Sequence, residues 1–498
     1  MNYRFVSRLL GVFCWWVGFW MLLPAGWALW FGERGALGAI AASIGTCLLA
    51  GGALLYWGRR ANRRMYEREA TALVGLGWLL VAALGALPFV YGGVLGPVDA
   101  YFESISGFTT TGSSVIAIIE PVPKSILFWR SLTHWLGGIG IVILMVAIIP
   151  FLGESGKMLY RSEATGLDKN GLRPRIRETT ATLFKIYLFL TVIHTAFLMA
   201  AGMDLFDALC HTFGSLATGG YSTRTASIAA FDSVAVESVI TVFELVGATN
   251  FTLFYLMARG DWRALHRDSE WRVFMAIFAV TTALVIFNLL GAQGSLPADT
   301  SQPGAMGSAA FTPAQALRHA SFEVGTMMTN TGFASTDFNV WPYFSRILIM
   351  MVVITGGCSG STAGGLKIIR VIILFKIAVL QIQRTFRPHT IRAIRVNNRV
   401  VPESVQYGVL TFFLIYISFM AFSTVVMSLL GLPLTTAFSA VVACQNNTGP
   451  GLDLVGAVEN FAFISIPGKC YLCLVMIIGR LEFFSILVFI FPSFWHRS

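Results

Sequence analysis

Apolar runs of about 20 residues recur along this 498-residue chain, and no other feature constrains its fold as strongly. A helical run of that length crosses the roughly 30 Å hydrocarbon core of a bilayer. Only 12% of the residues are charged, about half of what soluble domains carry. The pattern excludes a soluble protein. It predicts an all-α polytopic membrane protein with spans near 8–30, 37–58, 72–94, 126–150, 183–202, 234–257, 272–292, 343–377, 405–430 and 468–492.

The basic residues are unevenly distributed along the chain. Of the 35 Lys and Arg residues, 27 fall at the two termini or in the segments 59–68, 157–185, 259–272 and 367–399. Loops rich in Lys and Arg stay on the cytoplasmic side of a membrane, so we expect both termini and these segments to be cytoplasmic. The net charge of +10 therefore reflects membrane topology rather than nucleic-acid binding. The first apolar run lacks a small-residue cleavage site, and we expect it to be retained as a span.

Four further apolar segments, near 99–109, 206–216, 318–329 and 435–446, are too short to cross a membrane. At 1.5 Å per residue, each reaches about halfway, which predicts re-entrant half-helices on the non-cytoplasmic side. A Thr-Gly pair follows each segment, and successive pairs are about 110 residues apart in a gapless alignment. The pairs are Thr111-Gly112, Thr218-Gly219, Thr331-Gly332 and Thr448-Gly449.

These spacings predict four tandem repeats of span, pore half-helix and span around one pseudo-fourfold pore. Residues 1–68 would form two extra N-terminal transmembrane helices and a basic connector. The repeats would cover 69–155, 156–260, 261–380 and 381–498.

The strands that carry the Thr-Gly pairs have a composition that suits an ion-selectivity filter. A monovalent cation needs rings of backbone carbonyls in place of its hydration shell. Glycine adopts the backbone dihedrals that aim carbonyls at a common axis, and a preceding threonine adds a hydroxyl. Irregular backbone at membrane depth is tolerated where it lines water and is buried in protein. The half-helices would also direct their partially negative C-terminal ends towards a cation.

The stretch ITGGCSGSTAGGLK, Ile354–Lys367, interrupts the eighth apolar run. Five glycines among serine and threonine disfavour a helix there. Small residues could instead permit close helix packing. A phosphate-binding loop fits poorly, because no strand precedes the glycines. We expect an intramembrane gate loop at 355–366 that obstructs the pore below the filter, with Lys367 adding positive charge to the barrier when it is closed.

The four Thr-Gly pairs, the HWLGGIGI of His134–Ile141, the broken run and the GRLE of Gly479–Glu482 together resemble the Trk/Ktr/HKT superfamily of potassium transporters. The resemblance covers essentially the whole chain and is closest to the TrkH-type membrane subunit. It implies a K⁺ site at the filter and a pore charge at Arg480. The implied filter residues are Thr110, Thr111, Gly112, Ala217, Thr218, Gly219, Asn330, Thr331, Gly332, Asn447, Thr448 and Gly449; the implied gate residues are Gly356, Gly357, Cys358, Ser359, Gly360, Ser361, Thr362, Ala363, Gly364, Gly365 and Lys367.

Other polar residues in the apolar segments leave alternatives open. Arg480 could limit cation occupancy below the filter, or could form a structural ion pair with Glu482 or Glu244. Glu103 and Glu323, nine residues before their filter glycines, could anchor half-helices or bind ions. His134 and His211 could serve proton coupling or be structural. Acidic residues predicted on the outside could concentrate cations at the mouth: Asp99, Asp207, Asp232, Asp337, Asp453 and Glu459.

The function expected from these features is potassium uptake across the cytoplasmic membrane, through a selective, gated, channel-like pore driven mainly by membrane potential. Glycine rather than serine at Gly112 favours potassium over sodium by the same resemblance. The alternatives are a K⁺ symporter coupled to H⁺ or Na⁺, and a Na⁺-permeable relative. No metalloprotease, Walker or nucleophile-elbow motif supports an enzyme, and the potassium ion is the only expected cofactor. The resemblance further implies a homodimer in the bacterial inner membrane and a separate cytosolic nucleotide-binding regulatory subunit, a TrkA-like ring.

Overall fold

The computed structural model describes residues 2–60, 67–148, 172–291, 311–388, 393–483, 488–490 and 492. Parts of the expected basic segments and of the polar connection after residue 292 lie outside this described part. The predicted all-α polytopic fold is confirmed. The helices are α1 (Tyr3–Trp20), α2 (Leu22–Phe31), α3 (Arg34–Gly58), α4 (Glu67–Gly85), α5 (Leu87–Tyr91), α6 (Pro97–Phe108), α7 (Lys124–Ile148), α8 (Leu172–Ala200), α9 (Leu205–Leu216), α10 (Val234–Gly247), α11 (Phe251–Ala258), α12 (Ala264–Arg267), α13 (Ser269–Gly291), α14 (Pro313–Met328), α15 (Tyr343–Thr355), α16 (Ile368–Phe386), α17 (Glu403–Leu429), α18 (Leu434–Gln445) and α19 (Ile466–Arg480).

Strands β1 (Arg395–Val396) and β2 (Arg399–Val400) form a short antiparallel hairpin, with Arg395 opposite Val400. Its two turn residues, Asn397 and Asn398, both have positive φ angles, of 49° and 61°. This is the backbone that a two-residue type I′ turn requires, and asparagine tolerates it. Short 3₁₀ helices lie at Ser227–Phe231, Phe338–Val340, Asp453–Val455 and Val488–Ile490.

Within the described part, six helical segments are long and apolar enough to cross a membrane by length and composition. They are Tyr3–Phe31, Arg34–Gly58, Arg68–Tyr91, Ala181–Ala200, Ser269–Gly291 and Glu403–Leu429. Their large outward-facing apolar side chains, such as Leu49, Phe287 and Leu429, suit contact with lipid. The chain is a multi-pass membrane protein.

The predicted span over 234–257 is broken rather than continuous. Helices α10 and α11 meet at an angle of 91°. The cause is Asn250, whose side-chain oxygen accepts a hydrogen bond from the Thr252 backbone N–H at 2.8 Å and so starts a new helix. The break leaves the carbonyl groups of Gly247 and Ala248 free to accept hydrogen bonds from the backbone N–H groups of Thr362 and Cys358 in the glycine-rich stretch.

Four helices are pore half-helices: α6, α9 and α18 of 12 residues each, and α14 of 16. Their starts are well specified. Pro97 occupies the first turn of α6, Asp204 caps α9, and Thr312 with Gln315 forms a capping box on α14. Twelve helical residues extend about 18 Å, so these helices end near mid-membrane.

Two ion pairs each join one half-helix to a helix of another repeat. Arg318 of α14 binds Glu237 of α10 at 2.7 Å, and Asp99 of α6 binds Lys469 of α19 at 2.7 Å. The second pair connects residues 370 positions apart, so it brings the last repeat against the first. The first and last repeats are therefore neighbours in the fold.

Candidate ion pore: filter strands and gate loop

Each half-helix ends in an extended strand with the same backbone. The C-cap residues are Thr109, Ala217, Thr329 and Asn446. The next residue has a φ near +55° in all four strands, and the glycine two positions later has a φ between +79° and +97°. These φ pairs are Thr110 and Gly112, Thr218 and Gly220, Asn330 and Gly332, and Asn447 and Gly449. Four positive-φ non-glycine residues are a strained set that neighbouring structure must hold in place.

The four strands pack against one another in cyclic order. A β-carbon on Gly112 would overlap the carbonyl oxygen of Gly219, and one on Gly220 would overlap that of Thr331. A β-carbon on Gly332 would overlap the Thr448 carbonyl oxygen, and one on Gly449 would lie 2.9 Å from that of Thr111. Each glycine thus contacts the carbonyl that precedes the equivalent glycine of the next repeat. The arrangement is a closed ring of four strands around one axis.

The structure sets the second strand one residue later than the gapless alignment predicts. The Gly219 backbone N–H bonds to the Gly214 carbonyl, as Thr111 N–H bonds to Ser106, so Gly219 is the counterpart of Thr111. Ala217 lies at the helix C-cap rather than in the strand, and Gly220 takes the position of the filter glycine. The alignment missed Gly220 because the doubled glycine fits both registers.

Polar atoms cluster at the inner end of the ring. The Asn330 side-chain amide donates to the Thr448 hydroxyl at 2.7 Å, and the Asn447 amide donates to the Thr111 hydroxyl at 2.9 Å. These bonds join the third strand to the fourth and the fourth to the first. Within the described residues, the amide oxygens of Asn330 and Asn447 and the Thr110 hydroxyl have no hydrogen-bond partner, although they are buried. Buried oxygens without donors are suitable ligands for a cation or its hydrating water.

A hydrogen-bonded scaffold holds the strands beyond their glycines. The buried Glu103 carboxylate accepts hydrogen bonds from the Val115 backbone N–H at 2.9 Å and the Ser114 hydroxyl at 3.0 Å. It also pairs with the buried Arg130 at 2.6 Å. Arg130 reaches the second strand as well, where it donates to the Ser222 carbonyl at 3.0 Å. The pair therefore braces the first strand against the second.

The other repeats use the same position in different ways. Glu323 accepts from the backbone N–H groups of Ser335 and Thr336 at 2.7 and 3.2 Å. The gapless alignment places Cys210 nine residues before Gly219, whereas in the corrected register His211 lies nine residues before Gly220 and is the second-repeat counterpart. Its Nε2 lies 3.0 Å from the Ser222 hydroxyl. His134 also has backbone partners, the Gly107 carbonyl and the Tyr221 N–H. These contacts favour the anchoring alternative for the two glutamates and the structural alternative for the histidines.

The glycine-rich stretch leaves the helix at Gly356 and rejoins one at Ile368. A β-carbon on Gly364 would overlap the Asn446 carbonyl, so the loop lies directly below the filter strands. Its Thr362 hydroxyl lies 3.0 Å from the Leu216 carbonyl and 2.9 Å from that of Gly247. The loop thus leaves the third repeat and crosses to the ends of α9 and α10 in the second.

Arg480 approaches the same loop from the fourth repeat. Its guanidinium donates a hydrogen bond of 2.7 Å to the Thr362 carbonyl, while Nε and Nη2 have no partner within the described residues. A cavity of about 20 Å³ lies between Arg480 and the loop. Glu482 instead pairs with Arg370 at 2.6 Å, and no ion pair with Arg480 is present in the described part of the chain. The Lys367 ammonium donates to the Ala363 carbonyl of the loop.

The mouth above the filter contains a cavity of about 90 Å³. Three of the six acidic residues expected to attract cations there are neutralised, because Asp99 pairs with Lys469, Asp207 with Arg224 and Asp232 with Arg318. Asp453 accepts a hydrogen bond from Thr436, and Asp337 caps a 3₁₀ turn. Glu459 is the acidic residue of this set that lines the cavity.

Fold and site together define the class of protein: a multi-pass membrane protein in which four half-helices hold extended, glycine-bearing strands around one axis, with an intramembrane loop below them. A family model described as TrkH, cation transport protein, matches residues 38–497. The chain is 37% identical over 502 residues to the Trk system potassium uptake protein TrkH of Salmonella typhimurium and 36% identical to that of Escherichia coli K12, each alignment covering 100% of both chains. It superposes on the crystal structure of the potassium transporter TrkH from Vibrio parahaemolyticus with a TM-score of 0.88, at 33% identity and full coverage of both chains. The chain belongs to the TrkH family of cation transport proteins.

Proposed function

We propose that this protein takes up potassium through the axial pore, with the four strands as its selectivity filter. The closed ring of four carbonyl groups, those of Thr111, Gly219, Thr331 and Thr448, carries this proposal. Such a ring supplies a dehydrated monovalent cation with oxygen ligands from every side. The relatives named above are potassium uptake proteins, and this chain aligns with them over its full length. That similarity supports potassium as the transported ion.

The filter residues of the proposal follow the observed register. They are Thr110, Thr111, Gly112, Thr218, Gly219, Gly220, Asn330, Thr331, Gly332, Asn447, Thr448 and Gly449. Ala217 supports its strand from the helix C-cap and is not a ligand in this scheme.

The proposed gate is the loop from Gly356 to Lys367, with Arg480 as its support. Three repeats meet at this loop, because it starts from α15, binds α9 and α10 through Thr362, and receives the Arg480 guanidinium from α19. A cation leaving the filter meets the loop and a fixed positive charge in succession. Conduction therefore requires the loop to move and the Arg480–Thr362 bond to break.

Membrane potential alone would drive uptake. A potential near 150 mV is worth roughly 3.5 kcal/mol per unit charge, which corresponds to about 300-fold accumulation. Coupling to H⁺ is the second candidate. The geometry gives it little support, because His134 and His211 are both buried and hydrogen-bonded within the filter scaffold.

The assembly we propose is a homodimer in a bacterial inner membrane, with both termini and the gate loop towards the cytoplasm. The name Trk system, which the relatives carry, supports the presence of partner subunits, and the partner we propose is a separate regulatory subunit, a TrkA-like nucleotide-binding ring. The proposed role is transport rather than enzymatic catalysis, with K⁺ as the only ion required.

Ion flux into proteoliposomes tests the proposal, with the purified chain alone and with membrane potential and pH gradient set independently. The account predicts K⁺ flux that follows the potential at zero pH gradient and exceeds Na⁺ flux. Flux that appears only with a proton or sodium gradient would establish the coupled mechanism instead.

A further inference from the structure

One buried carboxylate of the described chain binds both the gate loop and the start of the helix that follows it. Glu270, in the first turn of α13, is 4% exposed. Its Oε1 accepts hydrogen bonds from the Ser359 backbone N–H at 2.7 Å and from the Ile369 backbone N–H at 3.0 Å. Its Oε2 accepts from the Ser359 hydroxyl at 2.9 Å. Ser359 lies inside the loop, and Ile369 lies just beyond the point where the loop becomes α16.

The residue types explain why this contact is strong. The Ile369 N–H is one of the first N–H groups of α16, which have no partner within their own helix. Lys367 precedes that helix and provides no side-chain cap. Glu270 therefore caps α16 from another helix, and its negative charge is favourable near the helix N-terminus. Hydrogen bonds to a carboxylate are about twice as strong as neutral ones.

The start of α13 is fixed in turn by the β1–β2 hairpin. The Asn397 side-chain oxygen accepts from the Ser269 N–H at 2.7 Å and from the Ser269 hydroxyl at 2.5 Å. The Asn397 amide donates to the Asp268 carboxylate at 2.6 Å. Hydrogen bonds thus run from the hairpin turn to Asp268 and Ser269, and from the adjacent Glu270 to the loop.

We propose that Glu270 is a positioning residue that keeps the gate loop below the filter, and that the Asn397 turn of the hairpin keeps Glu270 in place. The gating half of this inference rests on the proposed function of the loop. Displacement of the hairpin, for example by a protein bound to it, would withdraw Glu270 from Ser359 and Ile369 and release the loop. Opening would then be coupled to a surface segment more than 25 residues from the loop in sequence.

The native cysteine of the loop provides a readout that does not depend on transport. Cys358 is 1% exposed, so its alkylation requires the loop to move. The rate of its modification by N-ethylmaleimide can be followed by mass spectrometry on the full chain in proteoliposomes. The buried Cys210, in half-helix α9, reports general loosening of the fold in the same sample.

Glu270→Ala should raise the Cys358 alkylation rate at least tenfold, with the Cys210 rate unchanged. Glu270→Gln keeps the shape and one acceptor oxygen, and should raise it two- to fivefold. Asn397→Ala should also raise it two- to fivefold, because it removes the hairpin contacts alone. The matched control is Glu403→Gln, an exposed acid in the first turn of α17, which should behave as wild type.

An unchanged Cys358 rate in Glu270→Ala would overturn the role of Glu270, and an unchanged rate in Asn397→Ala would overturn that of the hairpin. If Glu270→Ala also raises the alkylation rate of Cys210, the fold as a whole has loosened and Glu270→Gln, which preserves the shape of the side chain, becomes the test. An unchanged Cys358 rate in Glu270→Gln would then overturn the role of Glu270. K⁺ flux on the same vesicles separates the two levels. Faster Cys358 alkylation with increased flux supports the whole scheme, whereas faster alkylation with unchanged flux supports the positioning role and overturns the loop as the gate.

Discussion

The Arg480–Thr362 hydrogen bond should hold the pore closed, and its strength sets the size of the effect of removing it. The bond is 2.7 Å long, joins a guanidinium to a loop carbonyl, and lies in a buried region. A hydrogen bond to a charged group contributes about 1.5–3 kcal/mol. At 1.4 kcal/mol per factor of ten, Arg480→Gln should raise the open-to-closed ratio roughly 10- to 100-fold. The lost positive charge acts in the same direction, because it lowers the barrier to a cation below the filter.

The assay is ⁸⁶Rb⁺ uptake into proteoliposomes at fixed potential, with equal amounts of reconstituted protein. Arg480→Gln should increase basal uptake at least tenfold without altering the preference for K⁺ over Na⁺, because the filter strands are untouched. Arg346→Gln is the matched control, since its guanidinium lies over the Tyr343 ring at the opposite end of α15 from the loop. Basal uptake equal to wild type in Arg480→Gln would refute the assignment of this bond to the closed state.

Three further perturbations test the filter, its scaffold and the mouth. Gly112→Ser would place a β-carbon over the Gly219 carbonyl at a φ of +85°, which costs about 1–3 kcal/mol of strain. The K⁺/Na⁺ permeability ratio, measured from reversal potentials, should therefore fall at least tenfold, and an unchanged ratio would count against a carbonyl filter. Arg130→Met leaves the Glu103 charge buried without its partner and should lower the free energy of unfolding by about 3–5 kcal/mol. The midpoint of thermal unfolding in detergent should therefore fall, and a midpoint within 1 °C of wild type would contradict the bracing role of the pair. Glu459→Gln should reduce K⁺ flux more at 10 mM salt than at 300 mM salt, because salt screens an exposed charge. An equal reduction at both salt concentrations would exclude electrostatic attraction of cations at the mouth.

Much of the architecture follows from local sequence properties. Apolar length distinguishes spans from half-helices because a helix rises by a fixed 1.5 Å per residue. The predicted segment 206–216 and the observed α9, Leu205–Leu216, differ by one residue at the start. The break at Gly356 was also predictable, since five glycines interspersed with serine and threonine disfavour a helix.

The register of the second filter strand could not be obtained from motif matching. Gly219 and Gly220 are adjacent, so the Thr-Gly motif aligns equally well in two ways. What decides between them is the turn after the half-helix, where Gly219 bonds back to Gly214. That bond depends on where α9 ends, and a sequence pattern locates a helix end only within a few residues.

Contacts between residues far apart in the chain could not be predicted from the sequence either. The apolar run over 234–257 looks continuous in the sequence. The bend within it depends on one residue, Asn250, which caps the second helix. The pairing of Asp99 with Lys469 and the contacts of Glu270 with Ser359 and Ile369 join residues about 90 to 370 positions apart. Nothing in the spacing of these residues indicates their partners, since only the closed ring of repeats brings them together.

The most direct test of the central claim is to locate the bound ion. A crystal structure of this chain grown with Tl⁺ in place of K⁺ would show anomalous scattering wherever a permeant ion is held. The account predicts peaks on the pore axis, level with the carbonyl groups of Thr111, Gly219, Thr331 and Thr448 and above the gate loop. An axis without peaks beside those carbonyls, or Tl⁺ bound only elsewhere in the protein, would contradict it.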